Sequence, residues 1–203
     1  MASTGSRSPL AFSLVLVLCS VGLGIYADEG QNVDGPLGWL PELGTPWVLI
    51  AFAGGRLWSR HLVAAALAGP TLISLGLWSY WLYMEVAHGT PIYNMTNDGR
   101  GIYWVGLGCA LGLAAGLGGA FSRRGRLRSV AWALAIAVPL AEGIVAWNKM
   151  FGPPLSIPLA LFAVAAALLG RSLSEASWQL TLVATALWTV CGVAAAGSLM
   201  GVL

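Results

Sequence analysis

Glu142 is an ionisable side chain inside an otherwise apolar run. It lies in the stretch VPLAEGIVAWNK, residues 138–149, near the end of a run that begins at about Ser129. At 1.5 Å per residue, its carboxyl lies about 9 Å from the Asn148 end of a helix. A charge at that depth costs a few kcal/mol when it faces lipid. Glu142 is therefore predicted to face the bundle interior or a water-filled cavity, either paired or protonated.

Aromatic residues are concentrated on the same side as Glu142. Eleven of the fifteen Trp and Tyr residues fall in the predicted outer half: Tyr26, Trp39, Trp47, Trp78, Tyr80, Trp81, Tyr83, Tyr93, Tyr103, Trp104 and Trp147. An aromatic belt explains several of them, but belts normally form at both interfaces. Only Trp58, Trp132 and Trp178 mark the inner one. The excess predicts an outward-opening aromatic cavity, which together with carboxylates suits an organic cation.

The candidate ligand-binding residues are the acids of this cavity and nearby aromatic residues: Glu142, Glu85, Trp81, Tyr80, Trp104 and Trp147. Two alternatives stay open, because Glu142 also fits a structural acid hydrogen-bonded to a neighbouring helix, and Glu85 also fits a solvated interfacial acid. The chain has no H-E-x-x-H, Walker A or G-x-S-x-G pattern. His61 and His88 fall on opposite sides of the membrane and cannot share a metal, so no metal and no cofactor are expected.

The composition predicts an integral membrane protein. Of 203 residues, 58% are hydrophobic and 9% are charged, whereas soluble domains carry about 25% charged residues. The length leaves no room for an appended soluble domain, so residues 1–203 form one all-helical membrane domain whose main partner is the lipid bilayer. A net charge of +2 is too small and dispersed for nucleic acid. Three cysteines without C-x-x-C spacing argue against a disulfide framework or a zinc site.

Seven apolar runs define the predicted spans. They cover residues 10–27, 43–57, 62–87, 102–121, 129–148, 155–170 and 178–201. With the N-terminus inside, the inner side holds Arg7, Arg56, Arg60, Arg123, Arg124, Arg126, Arg128 and Arg171. Only Arg100 and Lys149 fall outside. This positive-inside bias predicts seven spans, with the N-terminus in and the C-terminus out.

Two features leave alternatives to this simple threading. The first run also fits a cleaved signal peptide, which would leave six spans. Similar inner turns suggest a repeat of three helix hairpins over residues 43–87, 102–148 and 155–201, although convergent composition at cytoplasmic turns explains the similarity equally well.

Gly108, Gly112 and Gly116 recur at every fourth position of the fourth run. Small residues at this spacing let helix backbones approach closely in lipid. The ridge therefore predicts a central helix packed against its own neighbours. The alternative is that it docks onto a partner subunit or a second copy of the chain.

The order of segments resembles a family of small multispanning membrane proteins, found mainly in actinobacteria and known only as a domain of unknown function. The resemblance covers roughly residues 43–148. It is carried by GTPWVLIAFAGGRL, LVAAALAGPTLISLGLWSYWLY, IYWVGLGCALGLAAGLGGAFSRR and LAEGIVA. It implies a bacterial cytoplasmic membrane protein and supplies no activity or site.

Three functions are compatible with the sequence. The first, which is favoured, is binding or transport of a small organic ligand, with cationic ligands the best fit, from the outward-facing aromatic and acidic cavity. The second is a structural or regulatory bundle without a small-molecule site. The third is a membrane enzyme on lipid substrates, in which Glu142 or Glu85 acts as a general acid or base. The enzyme is the least favoured, because the chain offers few clustered acids or histidines.

Overall fold

The computed structural model describes residues 9–30, 33, 36–97, 100–148 and 154–199. In these ranges the chain forms α-helices and short 3₁₀ segments, without a strand. The α-helices are α1 (Pro9–Glu29), α2 (Gly44–Leu57), α3 (Leu62–His88), α4 (Ile92–Asn97), α5 (Arg100–Phe121), α6 (Arg128–Asn148), α7 (Ser156–Leu173) and α8 (Trp178–Leu199). The 3₁₀ segments cover Pro36–Glu42 and Gly125–Leu127. The predicted all-helical class is confirmed.

Each predicted apolar run corresponds to one helix, but the helices differ in their capacity to cross a bilayer. Within the described ranges five helices are long and apolar enough to do so, namely α1, α3, α5, α6 and α7. Helix α2 has only 14 residues and extends about 21 Å, which is less than the ~30 Å of hydrocarbon. Five such helices are typical of a multi-pass membrane protein. The count of seven crossings and the orientation stay predictions.

Some residues used for the orientation are not part of the described structure. Arg7 and Lys149 lie outside the described residues, and the side chains of Arg100 and Arg126 are likewise not described. The positive-inside orientation therefore stays a prediction from the sequence.

Two groups of helices meet at α2 and α5. Helix α3 packs against α1, α2 and α5, whereas α6 packs against α7 and α8. Helices α2 and α5 contact both α3 and α6. Because α2 lies between the two groups, residues from distant parts of the chain meet at its two ends. In the predicted third hairpin, α7 and α8 pack mainly against α6 and little against each other.

The core lies where α2, α3, α5 and α6 meet. Val48 and Phe52 of α2 pack there with Ile73 of α3 and with Trp132 and Ile136 of α6. Large apolar side chains also cover the outside of the bundle, for example Leu14, Leu67, Leu82, Val183 and Leu187. An apolar exterior around a packed core is what a hydrocarbon solvent permits, because lipid does not penalise exposed leucine.

The glycine ridge of α5 lies against α3. A Cβ atom on Gly112 would stand 2.7 Å from the Pro70 nitrogen, and one on Gly116 would stand 2.5 Å from the Ala65 carbonyl oxygen. One on Gly108 would meet the Ile73 side chain at 2.9 Å. At Gly112 and Gly116 the backbones of α5 and α3 are so close that no larger residue fits. The ridge is therefore used inside the chain, and a partner subunit stays a prediction.

Candidate functional site

The Glu142 carboxylate lies at the N-terminus of α2. Its Oε1 accepts a hydrogen bond from the Gly44 backbone N–H at 2.5 Å. Its Oε2 accepts two, from the Thr45 backbone N–H at 3.0 Å and from the Thr45 hydroxyl at 2.5 Å. The first N–H groups of a helix have no partner within the helix, and the N-terminal end of the helix dipole favours a negative charge. Glu142 supplies both an acceptor for these N–H groups and a negative charge at this end of the helix.

The sequence around the start of α2 leaves this role to another helix. The residue before Gly44 is Leu43, whose side chain makes no capping hydrogen bond. A Cβ atom on residue 44 would stand 2.9 Å from Glu142 Oε1, so glycine leaves the space that the carboxylate occupies. Thr45 is buried at 4% exposure, where an unpaired N–H or hydroxyl would be costly. The acid of α6 therefore supplies the acceptor that the α2 sequence lacks.

Aromatic side chains of α6 and α7 pack near Gly143, the residue that follows Glu142. Gly143 packs against the Phe162 ring, which would lie 2.6 Å from a Cβ atom at that position. Phe162 in turn contacts Trp147, with ring centroids 6.5 Å apart. Trp147 is 55% exposed. Of the predicted aromatic residues, Trp147 is the one on the same helix as Glu142.

The other predicted ligand-binding residues lie on α3 and α5. Trp81 is buried and makes an edge-to-face contact with Trp78 at 5.3 Å between centroids. Tyr80 is half-buried, and Glu85 is exposed near the end of α3. Trp104 of α5 is exposed beside Tyr103. Helices α2 and α5 are the ones that contact both α3 and α6.

The six residues are thus distributed over three helices. Among the described residues, Glu142 forms its hydrogen bonds with α2 and the ring contact of Trp81 stays within α3. A single cavity lined by all six residues stays a prediction.

A second polar cluster lies at the other end of α2. Arg56 donates from Nη1 to the Ser122 hydroxyl at 2.9 Å and from Nη2 to both carboxylate oxygens of Glu175, at 3.0 and 2.8 Å. Its guanidinium also lies 5.0 Å from the centre of the Trp132 ring. Arg171 contacts Glu175 at 3.0 Å. The cluster joins α2 to the end of α5, the start of α6 and the turn between α7 and α8.

The electrostatics of Glu175 follow from these contacts. Partial burial by itself would raise the pKa of the Glu175 carboxyl, but the hydrogen bond and charge of Arg56, with the charge of Arg171, lower that pKa below its ordinary value. Glu175 is therefore ionised at neutral pH. The Glu175 backbone carbonyl also accepts a hydrogen bond from Arg128 at 2.8 Å.

This cluster of Arg56, Ser122 and Glu175 was not predicted as a site. Its signal in the sequence is that Glu175 is the one acidic residue on the predicted inner side, among many arginines. The sequence does not show which of these arginines pair with Glu175, and in the fold they are Arg56 and Arg171.

Two clefts open elsewhere on the bundle. One of about 300 Å³ lies between α1, α2 and α3 and is almost wholly apolar, with Leu16, Leu67 and Leu72 in its wall. The other, of about 400 Å³, lies beside the α7–α8 turn and includes Arg128 and Glu175. Glu142 lines neither cleft.

Comparison with known proteins gives no relative: no family model, no curated protein and no solved structure matches the chain. The resemblance of residues 43–148 to an actinobacterial family therefore stays a prediction.

Proposed function

We propose that this protein is a multi-pass protein of a bacterial cytoplasmic membrane that binds or transports a small organic ligand at the junction between Glu142 and the N-terminus of α2. The predicted topology places this junction in the outer half of the bundle. The single observation that carries the proposal is the carboxylate of a membrane-embedded helix bound to the first N–H groups of a helix too short to cross the hydrocarbon.

Helix termini inside a membrane bundle are polar positions in an apolar surrounding. Transport proteins commonly build substrate sites from interrupted helices, because the free N–H and C=O groups at the breaks bind polar groups of the ligand. In this chain the N-terminal N–H groups of α2 hold a carboxylate of the protein itself. An ammonium group of a ligand would bind the remaining lone pair of that carboxylate, and Trp147, five residues further along α6, offers an aromatic ring for a cation.

A second function is favoured by a different aspect of the same contact. Both oxygens of Glu142 already accept hydrogen bonds, and all three donors belong to α2. In a structural or regulatory bundle the acid would have no role beyond fixing α2 against α6. The two functions differ in whether a ligand is bound and lost with the Glu142 charge.

Native mass spectrometry of protein extracted gently from its own membrane distinguishes these functions. The ligand-binding proposal predicts a discrete bound mass that disappears in Glu142→Gln. The matched control is Arg56→Met, which loosens the opposite end of α2 and must keep the bound mass. A bound mass that survives Glu142→Gln overturns the proposed site at Glu142. An unliganded protein throughout overturns ligand binding itself and favours the structural bundle.

A further inference from the structure

Three side chains of types that can bind metals meet where α1 and α3 end, apart from Glu142 and from the cluster around Arg56 and Glu175. Asp28 and Glu29 are the last two residues of α1, and His88 is the last residue of α3. One ligand atom from each of the three lies within 4.8 Å of the other two. His88 Nε2 lies 2.6 Å from Asp28 Oδ2. The packing of α1 against α3 brings the three side chains together across 60 positions of sequence.

The Tyr83 hydroxyl orients one of these ligands. Tyr83 lies more than one turn before His88 on α3 and donates a hydrogen bond to Glu29 Oε1. Carboxylates that bind metals are in turn held by neighbouring hydrogen bonds, which fix their direction. The phenol binds Oε1 of Glu29, and the carboxylate has a second oxygen that can serve as a ligand.

The charges of the cluster favour a divalent cation over the ion pair alone. Two adjacent carboxylates repel each other, and one histidine neutralises at most one of them. The Asp28 side chain is only 12% exposed, so water screens it poorly. Two positive charges balance both carboxylates, with the imidazole as a neutral ligand. His88 is 46% exposed, which leaves open positions for water or a further ligand.

We propose that Asp28, Glu29 and His88 bind a divalent transition metal ion, with Zn²⁺ the best fit, and that the ion joins the ends of α1 and α3. Imidazole nitrogen with carboxylate oxygens is a ligand set that Zn²⁺ accepts, with bonds of about 2.0–2.2 Å. Mg²⁺ and Ca²⁺ prefer oxygen ligands throughout, so the imidazole selects against them. Tyr83 is a positioning residue that acts through Glu29. This proposal is independent of the ligand site at Glu142.

The test is Zn²⁺ binding to the full chain, purified without a polyhistidine tag and freed of metal by a chelator. Titration calorimetry should give one Zn²⁺ per chain, and His88→Ala should weaken the affinity at least tenfold. The matched control is His61→Ala, which removes the other histidine of the chain and should leave the affinity unchanged. Tyr83→Phe should weaken binding about tenfold through the loss of its hydrogen bond to Glu29.

A second readout separates metal binding from misfolding of the variants. Without metal, the thermal unfolding temperatures of wild type and His88→Ala should be similar, because His88 is exposed. Added Zn²⁺ should raise the unfolding temperature of wild type but not of His88→Ala, because a metal stabilises only a folded state that binds it. Zn²⁺ affinity that is equal in wild type and His88→Ala, or no saturable binding to wild type, overturns the proposal.

Discussion

The two ends of α2 are fixed by charges of opposite sign, in two different surroundings. At the N-terminus the carboxylate of Glu142 accepts hydrogen bonds from Gly44 and Thr45. At the C-terminus Arg56, within the last turn of α2, pairs with Glu175. Each charge opposes the helix dipole at its own end, an anion at the positive end and a cation at the negative end.

The difference between these ends lies in what remains when one partner is removed. Thr45 is buried, so loss of the Glu142 acceptor leaves buried donors without a partner, which costs the full desolvation of those groups. Arg56 and Glu175 keep 21% and 20% of their side chains exposed and have further partners. A partly solvated ion pair contributes little. The contacts at the N-terminal end of α2 should therefore contribute more to the free energy of unfolding than those at its C-terminal end.

The largest effect is expected when both ends are released together. The ends lie about 18 Å apart along α2, and distant sites act independently. The double variant Glu142→Gln with Arg56→Met should lose about 3 kcal/mol of unfolding free energy, equal to the sum of the single variants within about 0.5 kcal/mol. Titration with sodium dodecyl sulfate in mixed micelles measures these values. A double variant much less stable than the sum would mean that the two ends act as one unit.

Glu142→Gln alone should lower the unfolding free energy by about 2 kcal/mol. The amide keeps one acceptor oxygen but turns an NH₂ group toward the donors of α2. The matched control is Glu85→Gln, the same substitution at an exposed position of α3, which should change stability by less than about 0.5 kcal/mol. The same titration compares the two, and equal losses would remove the special role of Glu142.

Arg56→Met should have a smaller effect, about 1 kcal/mol or less. Methionine keeps much of the aliphatic volume and removes the hydrogen bonds to Ser122 and Glu175. Arg60→Met is the control, because Arg60 is an exposed arginine in the following turn. Unfolding titrations of both variants measure the difference. A loss at Arg56 greater than that of Glu142→Gln would reverse the proposed order of the two ends.

The smallest effect is a dependence of stability on pH through Glu175, at the C-terminal end of α2. The pKa of Glu175 is lower in the folded chain than its ordinary value of 4.5, so the folded state binds the proton less well than the unfolded state. The resulting stabilisation is fully present above about pH 4.5 and is lost as the pH falls through the lower folded pKa.

Thermal unfolding of wild type and Glu175→Gln between pH 3 and 7 tests this dependence. The difference between the two proteins should stay constant at neutral pH and shrink in acid. A difference that grows as the pH falls would contradict the assigned direction.

The sequence predicted the helices well because apolar runs and their basic turns are local signals. The depth of Glu142 also led to the correct requirement for a partner within the bundle, with a hydrogen bond to a neighbouring helix as one of the two readings. The partner itself lies 98 positions away. Its local signal was the Gly-Thr-Pro start of α2, whose first N–H groups need an acceptor.

The contacts that the sequence did not predict all depend on which helices are neighbours. Asp28 and His88 fall at the same predicted side, but only the packing of α1 against α3 joins them. Glu175 has several arginines nearby in sequence, and it pairs with its neighbour Arg171 and, because of the position of α2, with the distant Arg56. Apolar helices give few sequence cues to their neighbours, because small residues and leucine allow many packings in lipid.

Amide hydrogen exchange along α2 tests the central claim, that Glu142 fixes the N-terminus of this helix, most directly. Glu142→Gln should accelerate exchange at Gly44, Thr45 and the next turn, while the turn around Arg56 keeps its protection. Arg56→Met should show the reverse pattern, and Glu85→Gln should change neither end. Unchanged exchange at the N-terminus of α2 in Glu142→Gln would contradict the claim.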